Sequence, residues 1–102
     1  MLNYMPGTFG QNPDFKKLIG NGAVIIDVRT PSEFNSGHIS GSKNLPLDNL
    51  DIYLAELKEL NKPVIAVCRS GARSGAAVDI LKKAGIDAYN GGSWNDLQKA
   101  AN

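Results

Sequence analysis

Apolar residues fall into two kinds of run along this chain. Ala23-Val24-Ile25-Ile26-Asp27-Val28 and Pro63-Val64-Ile65-Ala66-Val67 are continuous and largely β-branched, the pattern of strands buried on both faces of a sheet. Around them the apolar positions recur at helical spacing: Phe15, Leu18 and Ile19; Ile52 or Tyr53, then Leu54, Leu57 and Leu60; Ala77, Val78, Leu81 and Ala84. That spacing turns one face of a helix toward a core and leaves the other to water.

Polar and special residues set the boundaries. Asn12-Pro13-Asp14 predicts a helix start, with Asn12 as cap, Pro13 at the first helical position and an acid in the first turn, and Gly20 and Gly22 predict its stop. Thr30-Pro31-Ser32-Glu33 repeats that logic, with Glu33 at the third position and Gly37 as the end. His38 to Pro46 reads as an extended connection holding a short strand, followed by a helix over 48–60. Pro63 opens the second long strand, where a missing N–H is tolerated. A helix is expected from Ser74 to a stop at Gly85, then a short strand from Ile86 to Asn90 and a turn at Gly91-Gly92. Ser93 with Asp96 would cap a last helix holding Trp94 and Leu97, and the first dozen residues read as irregular. Strands alternating with helices predict one α/β domain over residues 1–102, a mostly parallel sheet with helices on both faces.

The 102 residues suit a single domain. Basic and acidic residues nearly balance, 11 against 10, so neither nucleic acid nor a membrane surface is an expected partner. The amino terminus has no signal-like pattern and no run is long enough to span a bilayer. Cys68 is the sole cysteine. It excludes an internal disulfide and argues against a disulfide-cycling reductase and a zinc site, which leaves the cytoplasm as the expected compartment.

Cys68 stands at the carboxyl end of a predicted buried strand, before Arg69-Ser70-Gly71-Ala72-Arg73-Ser74. In open parallel sheets ligands bind beyond that end of the strands. Small residues let loop N–H groups converge on an anion, and a helix start adds its positive end. Between Leu60 and Val78 the only charged residues are Lys62, Arg69 and Arg73. All of this favours thiolate over thiol and predicts an anionic substrate open to thiolate attack: a sulfane sulfur, a phosphoryl group or an arsenate.

Cys68-Arg69-Ser70-Gly71-Ala72-Arg73-Ser74 resembles the active-site loop of rhodanese-homology sulfurtransferases. Ile26-Asp27-Val28-Arg29 with Glu33-Phe34, Gly37-His38-Ile39, Gly41 and Asn44 is similar to that family's first block, and Gly91-Gly92 with Trp94 to its last. The resemblance implies a three-layer rhodanese-like domain without metal or organic cofactor. It implies that Cys68 takes a sulfane sulfur from a small anionic donor such as thiosulfate, holds it as a persulfide, and passes it to a thiol, cyanide or protein acceptor. The backbone N–H groups of Arg69 to Arg73 would cradle the outer sulfur, Arg69 and Arg73 would draw the donor, and Ser70, Gly71, Ala72 and Ser74 would complete the substrate loop. A carrier module that relays sulfur with little free-substrate turnover would have the same features.

Loop length separates the phosphatase and arsenate-reductase alternative. Those enzymes use Cys-x5-Arg around a tetrahedral anion, whereas here the sixth position after Cys68 is Ser74 and the arginine comes one earlier. With no second thiol in the chain, a persulfide on Cys68 must pass its sulfur to another molecule. His38 is read as a scaffold histidine, Asp27 and Arg29 as a supporting pair that positions loops, and Glu33 as a helix-start acid or arginine partner. Trp94 is read as core, and Lys16-Lys17 and Lys82-Lys83 as solvated helix faces.

Overall fold

The computed structural model describes residues 13–102; the readings of residues 1–12 as irregular and of Asn12 as a cap lie outside them. Helix α1 (Phe15–Gly20) begins later than expected. Its cap is Asp14, whose Oδ1 accepts from the Lys17 N–H. Then follow β1 (Val24–Asp27), α2 (Pro31–Asn35), β2 (Lys43–Asn44), a 3-10 segment (Leu47–Tyr53), α3 (Leu54–Leu60), β3 (Val64–Cys68), α4 (Ala72–Lys83), β4 (Ala88–Ser93) and α5 (Trp94–Ala101).

The four strands form a sheet in the order β2-β1-β3-β4, every neighbouring pair parallel. Alternate strand residues face opposite layers, as the pleat requires. Ile26, Val64, Ala66, Cys68 and Ala88 join Leu50, Leu57, Ala77 and Leu81 from the 3-10 segment, α3 and α4. Ile25, Ile65 and Val67 face Leu18, Ile19, Trp94 and Leu97 from α1 and α5. The expected α/β class with helices on both faces is the observed one. The chain leaves β1 toward β2 on one side and returns to β3 on the other, so the topological switch lies between the carboxyl ends of β1 and β3.

Three expectations need correction. Residues 48–60 are not one α-helix: the 3-10 period over Leu47–Tyr53 brings Leu47, Leu50 and Tyr53 into line against the core, so Leu50 is fully buried while Ile52 faces solvent. Helix α4 starts at Ala72, two residues before Ser74. Gly71, at φ 102°, turns the chain from strand into helix within a few residues, a conformation that suits glycine.

Gly91-Gly92 is not a turn but the continuation of β4. Ala66 pairs with Asn90 and Val67 with Gly92, leaving Gly91 as a bulge. A Cβ on Gly91 would stand 2.8 Å from Ile65 Cγ2 and 2.9 Å from Val67 Cγ1, on buried strand side chains. The bulge shifts the register just beyond Asn90, so that Ser93 rather than Gly92 lies opposite Cys68. Gly91→Ala is therefore expected to lose about 1–3 kcal/mol in chemical denaturation through overpacking. Gly20→Ala, at a helix end with nothing within 4 Å of a new Cβ, should be neutral or gain about 0.5–1 kcal/mol.

Candidate active site

Cys68 ends β3 and is 1% exposed. Its sulfur lies inside the turn that joins β3 to α4. The Gly71 N–H donates to Sγ at 3.0 Å and the Ser74 N–H at 3.4 Å, and the Ser74 hydroxyl lies 3.4 Å from it. Burial alone raises the thiol. The Ser74 hydroxyl and N–H, with the N–H groups of Gly71 and Ser70, outweigh burial and bring it below its ordinary value. These are open N–H groups at the start of a 12-residue helix, where the backbone dipoles converge on negative charge.

Asn90 holds this arrangement from the neighbouring strand, and sequence reasoning missed it. Its Oδ1 accepts from the Ser74 hydroxyl at 2.7 Å and from the Gly92 N–H at 2.9 Å, while its Nδ2 donates to the Gly71 carbonyl at 3.0 Å. One amide thus pins both ends of the turn around the sulfur. The available signal was an Asn before two glycines at the same sheet edge as Cys68.

The charged residues pair with one another. Arg29 and Asp27, 4% and 0% exposed, form a forked ion pair with a shortest contact of 2.7 Å. Arg29 also donates to the carbonyls of Glu33 and Gly37 and lies 5.0 Å from the centre of the Trp94 ring, an attractive cation–aromatic contact. These contacts fasten α2 to the sheet. Arg73 makes a second fork, to Glu33, at 2.7 and 2.9 Å. The Thr30 N–H donates to the same carboxylate in a full capping box. Led by Arg73, these contacts lower the Glu33 carboxyl to about 2, and Glu33 in turn raises Arg73.

Of the loop residues named from the sequence, Ser70, Gly71 and Ser74 turn backbone donors to the sulfur. Arg73 turns its guanidinium to Glu33, and Arg69, Ser70 and Ala72 are exposed. His38 is exposed, donates from Nδ1 to the Phe34 carbonyl at 2.8 Å and stacks on the Phe34 ring, all within the scaffold. Ser70, Gly71 and Gly92 form one wall of an open groove of about 700 Å³, with Asp14, Phe15 and Lys16 at the start of α1 opposite. Another cavity, about 340 Å³ between Leu57, Pro63 and Ile86, opens at the amino ends of β3 and β4, away from the sulfur. Among the described residues no three His, Cys, Asp or Glu side chains converge as metal ligands, and no helix is long and apolar enough to cross a membrane.

The model of the rhodanese-like domain matches residues 11–100. This chain belongs to the rhodanese-like domain family. Protein YqhL of Bacillus subtilis is 44% identical over 69 residues, 67% of this chain and 54% of YqhL. The thiosulfate sulfurtransferase GlpE of Ectopseudomonas mendocina is 37% identical over 71 residues, 70% of this chain and 64% of GlpE. The matched stretch therefore spans between half and two thirds of these relatives. Among solved structures, a rhodanese with anions from E. coli superposes with a TM-score of 0.68 at 31% identity, covering 74% of this chain and 91% of that one.

In this rhodanese-like chain the Ser74 hydroxyl is the one side-chain group within hydrogen-bond distance of the sulfur among the described residues, and its single proton serves either Asn90 Oδ1 or Sγ. Ser74→Ala is expected to raise the thiol pKa, because it removes the hydroxyl that favours the charged form. Iodoacetamide alkylation followed against pH measures it: the midpoint moves up, and less Cys68 reacts at neutral pH. An unmoved midpoint would assign all the stabilisation to the backbone.

Proposed function

We propose that the chain is a rhodanese-type sulfurtransferase, one domain through residues 1–102, working by double displacement through a persulfide on Cys68. In the first half-reaction the Cys68 thiolate attacks the sulfane sulfur of an anion such as thiosulfate. A Cys68–sulfur bond forms, the donor's sulfur–sulfur bond breaks, and sulfite departs with the electron pair. In the second, a thiolate or cyanide attacks the outer sulfur and Cys68 leaves as thiolate. No electron is gained or lost overall, so neither half-reaction needs a redox partner. The N–H groups of Arg69 to Arg73 would receive the charge as it moves to the outer sulfur, stabilising it by fixed dipoles.

The observation that carries this reading is the seat of the sulfur: a nearly covered Sγ, bonded by loop N–H groups at a helix start, with its thiol shifted toward thiolate. Its 1% exposure favours end-on approach by a terminal sulfur atom over a tetrahedral phosphate. Ser74, fully buried between Sγ and Asn90, occupies the position where a Cys-x5-Arg phosphatase needs an arginine. The names of the GlpE relatives support the same donor class. Acceptors are a thiol, cyanide or a protein thiolate, and the cytoplasm is the compartment that a lone, reactive thiol suits.

Intact-mass spectrometry after thiosulfate treatment should show a gain of one sulfur atom per chain, absent in Cys68→Ser and removed by cyanide. An adduct that survives in the variant would defeat the proposal. Turnover of p-nitrophenyl phosphate comparable to sulfur transfer would favour the phosphatase instead. Fast transfer to a protein thiol, with negligible turnover on thiosulfate and cyanide, would identify a relay module.

A further inference from the structure

The backbone fixes the amide of Asn90 in one orientation. Its Nδ2 donates to the Gly71 carbonyl at 3.0 Å, and its Oδ1 accepts from the Gly92 N–H at 2.9 Å. A carbonyl cannot donate and an N–H cannot accept. The remaining contact of Oδ1, to the Ser74 hydroxyl at 2.7 Å, is therefore also an accepted proton. Ser74 has one hydroxyl proton, and the sulfur of Cys68 stands 3.4 Å from the same oxygen. Ser74 is fully buried, so its hydroxyl has these two partners rather than bulk water. With the proton on Asn90, the Ser74 oxygen faces Sγ as an acceptor, suited to an S–H and unsuited to a thiolate. With the proton turned to Sγ, the thiolate gains a donor and Asn90 loses one. Two partners compete for one proton, and the shorter contact goes to Asn90.

We infer that Asn90 is a positioning residue that draws the Ser74 proton away from Cys68 and so favours the uncharged forms of Sγ, thiol and persulfide, over the thiolate. Applied to the persulfide, the inference rests on the reading of Cys68 as sulfur carrier and adds a control on its discharge. In the loaded form Sγ is bonded to the outer sulfur and carries no charge, so Ser74 stays turned to Asn90. When an acceptor attacks the outer sulfur, the acceptor–sulfur bond forms and the sulfur–sulfur bond breaks. Cys68 takes the electron pair, and the Ser74 proton turns toward the new charge without leaving its oxygen. That turn costs the bond to Asn90, so Asn90 slows discharge and keeps the carrier loaded. The charged groups near the turn are Asp27 and Arg29 at the end of β1, Glu33 on α2, Arg69 in the loop and Arg73 on α4. Asp14 and Lys16 stand across the groove. All of them are retained in the variants compared below.

Asn90→Ala tests this through the direction of its effect. The alkylation midpoint of Cys68 should move to lower pH, because the Ser74 hydroxyl is freed to donate to Sγ. In a Ser74→Ala background the same substitution should produce no downward movement, since no hydroxyl proton is left to release. Discharge of the thiosulfate-loaded protein by cyanide should quicken about threefold, part of the worth of one hydrogen bond. Asn90 also props the Gly71 carbonyl, and a mere loosening of the turn would act the other way, raising the midpoint as N–H donors leave the sulfur. A midpoint that rises or stays in place overturns the inference, and so does an equal fall in both backgrounds. Asn90→Leu, nearly isosteric and without an acceptor, carries the same expectations should the alanine variant fail to fold. Failure of the native protein to load from thiosulfate would overturn the persulfide reading, while the alkylation midpoints would still decide whether Asn90 holds the proton.

Discussion

The loop around Cys68 depends on an ion pair that never touches the sulfur. Arg29 leaves the end of β1, is held by Asp27 beneath it, and reaches two carbonyls of α2 and its following residues while covering Trp94. A buried pair of this kind adds little net stability, yet losing one partner costs about 3–5 kcal/mol because the other charge is left unmatched. Its value here is geometric. It fixes the short α2, which has no buried residue of its own to anchor it. Thereby Glu33 is carried to Arg73, 40 residues away in the chain. Asn44 completes the arrangement by donating to the carbonyls of Asp27 and Arg29, so the edge strand β2 is registered against the same corner.

From the other side, the loop depends on Asn90, the residue before the bulge at Gly91. Parallel pairing without the bulge would carry β4 past Cys68 in a different register. Asn90 lies opposite Ala66 just before the bulge, and the bulge brings Ser93 instead of Gly92 opposite Cys68. Asn90 bonds Ser74 and Gly71 together. The two supports are independent: one works through charge and α2, the other through an amide and β4. They meet on adjacent residues of α4, Arg73 and Ser74.

Strands β1 and β3 were legible because a continuous β-branched run has little other use in a small domain. The capping box at Thr30 and Glu33 was legible because its residues lie close together in the chain. The place of Cys68 at the carboxyl end of a buried strand, before a helix start, was legible from the apolar run ahead of it. What escaped were features created by contact across the sheet. Gly91 reads as half of a turn until Ile65 and Val67 are known to close on it. Asn90 reads as a strand end until α4 brings Ser74 within reach. Leu50 fell outside the helical spacing because residues 47–53 follow a tighter 3-10 period.

The same distinction changes the account of the thiolate. Along the sequence the neighbourhood of Cys68 is purely basic, and the arginines look like its stabilisers. In the fold, Glu33, 40 residues away in the chain, neutralises Arg73, Asp27 neutralises Arg29, and Arg69 lies in solvent, where screening weakens its reach. The contacts that lower the thiol are short-range donors, from the Ser74 hydroxyl and the N–H groups of Ser74, Gly71 and Ser70. Such donors are fixed by the backbone and sheltered from water, so they keep their strength where exposed charges lose it. A site built this way stabilises charge on sulfur without needing a strong field at its mouth.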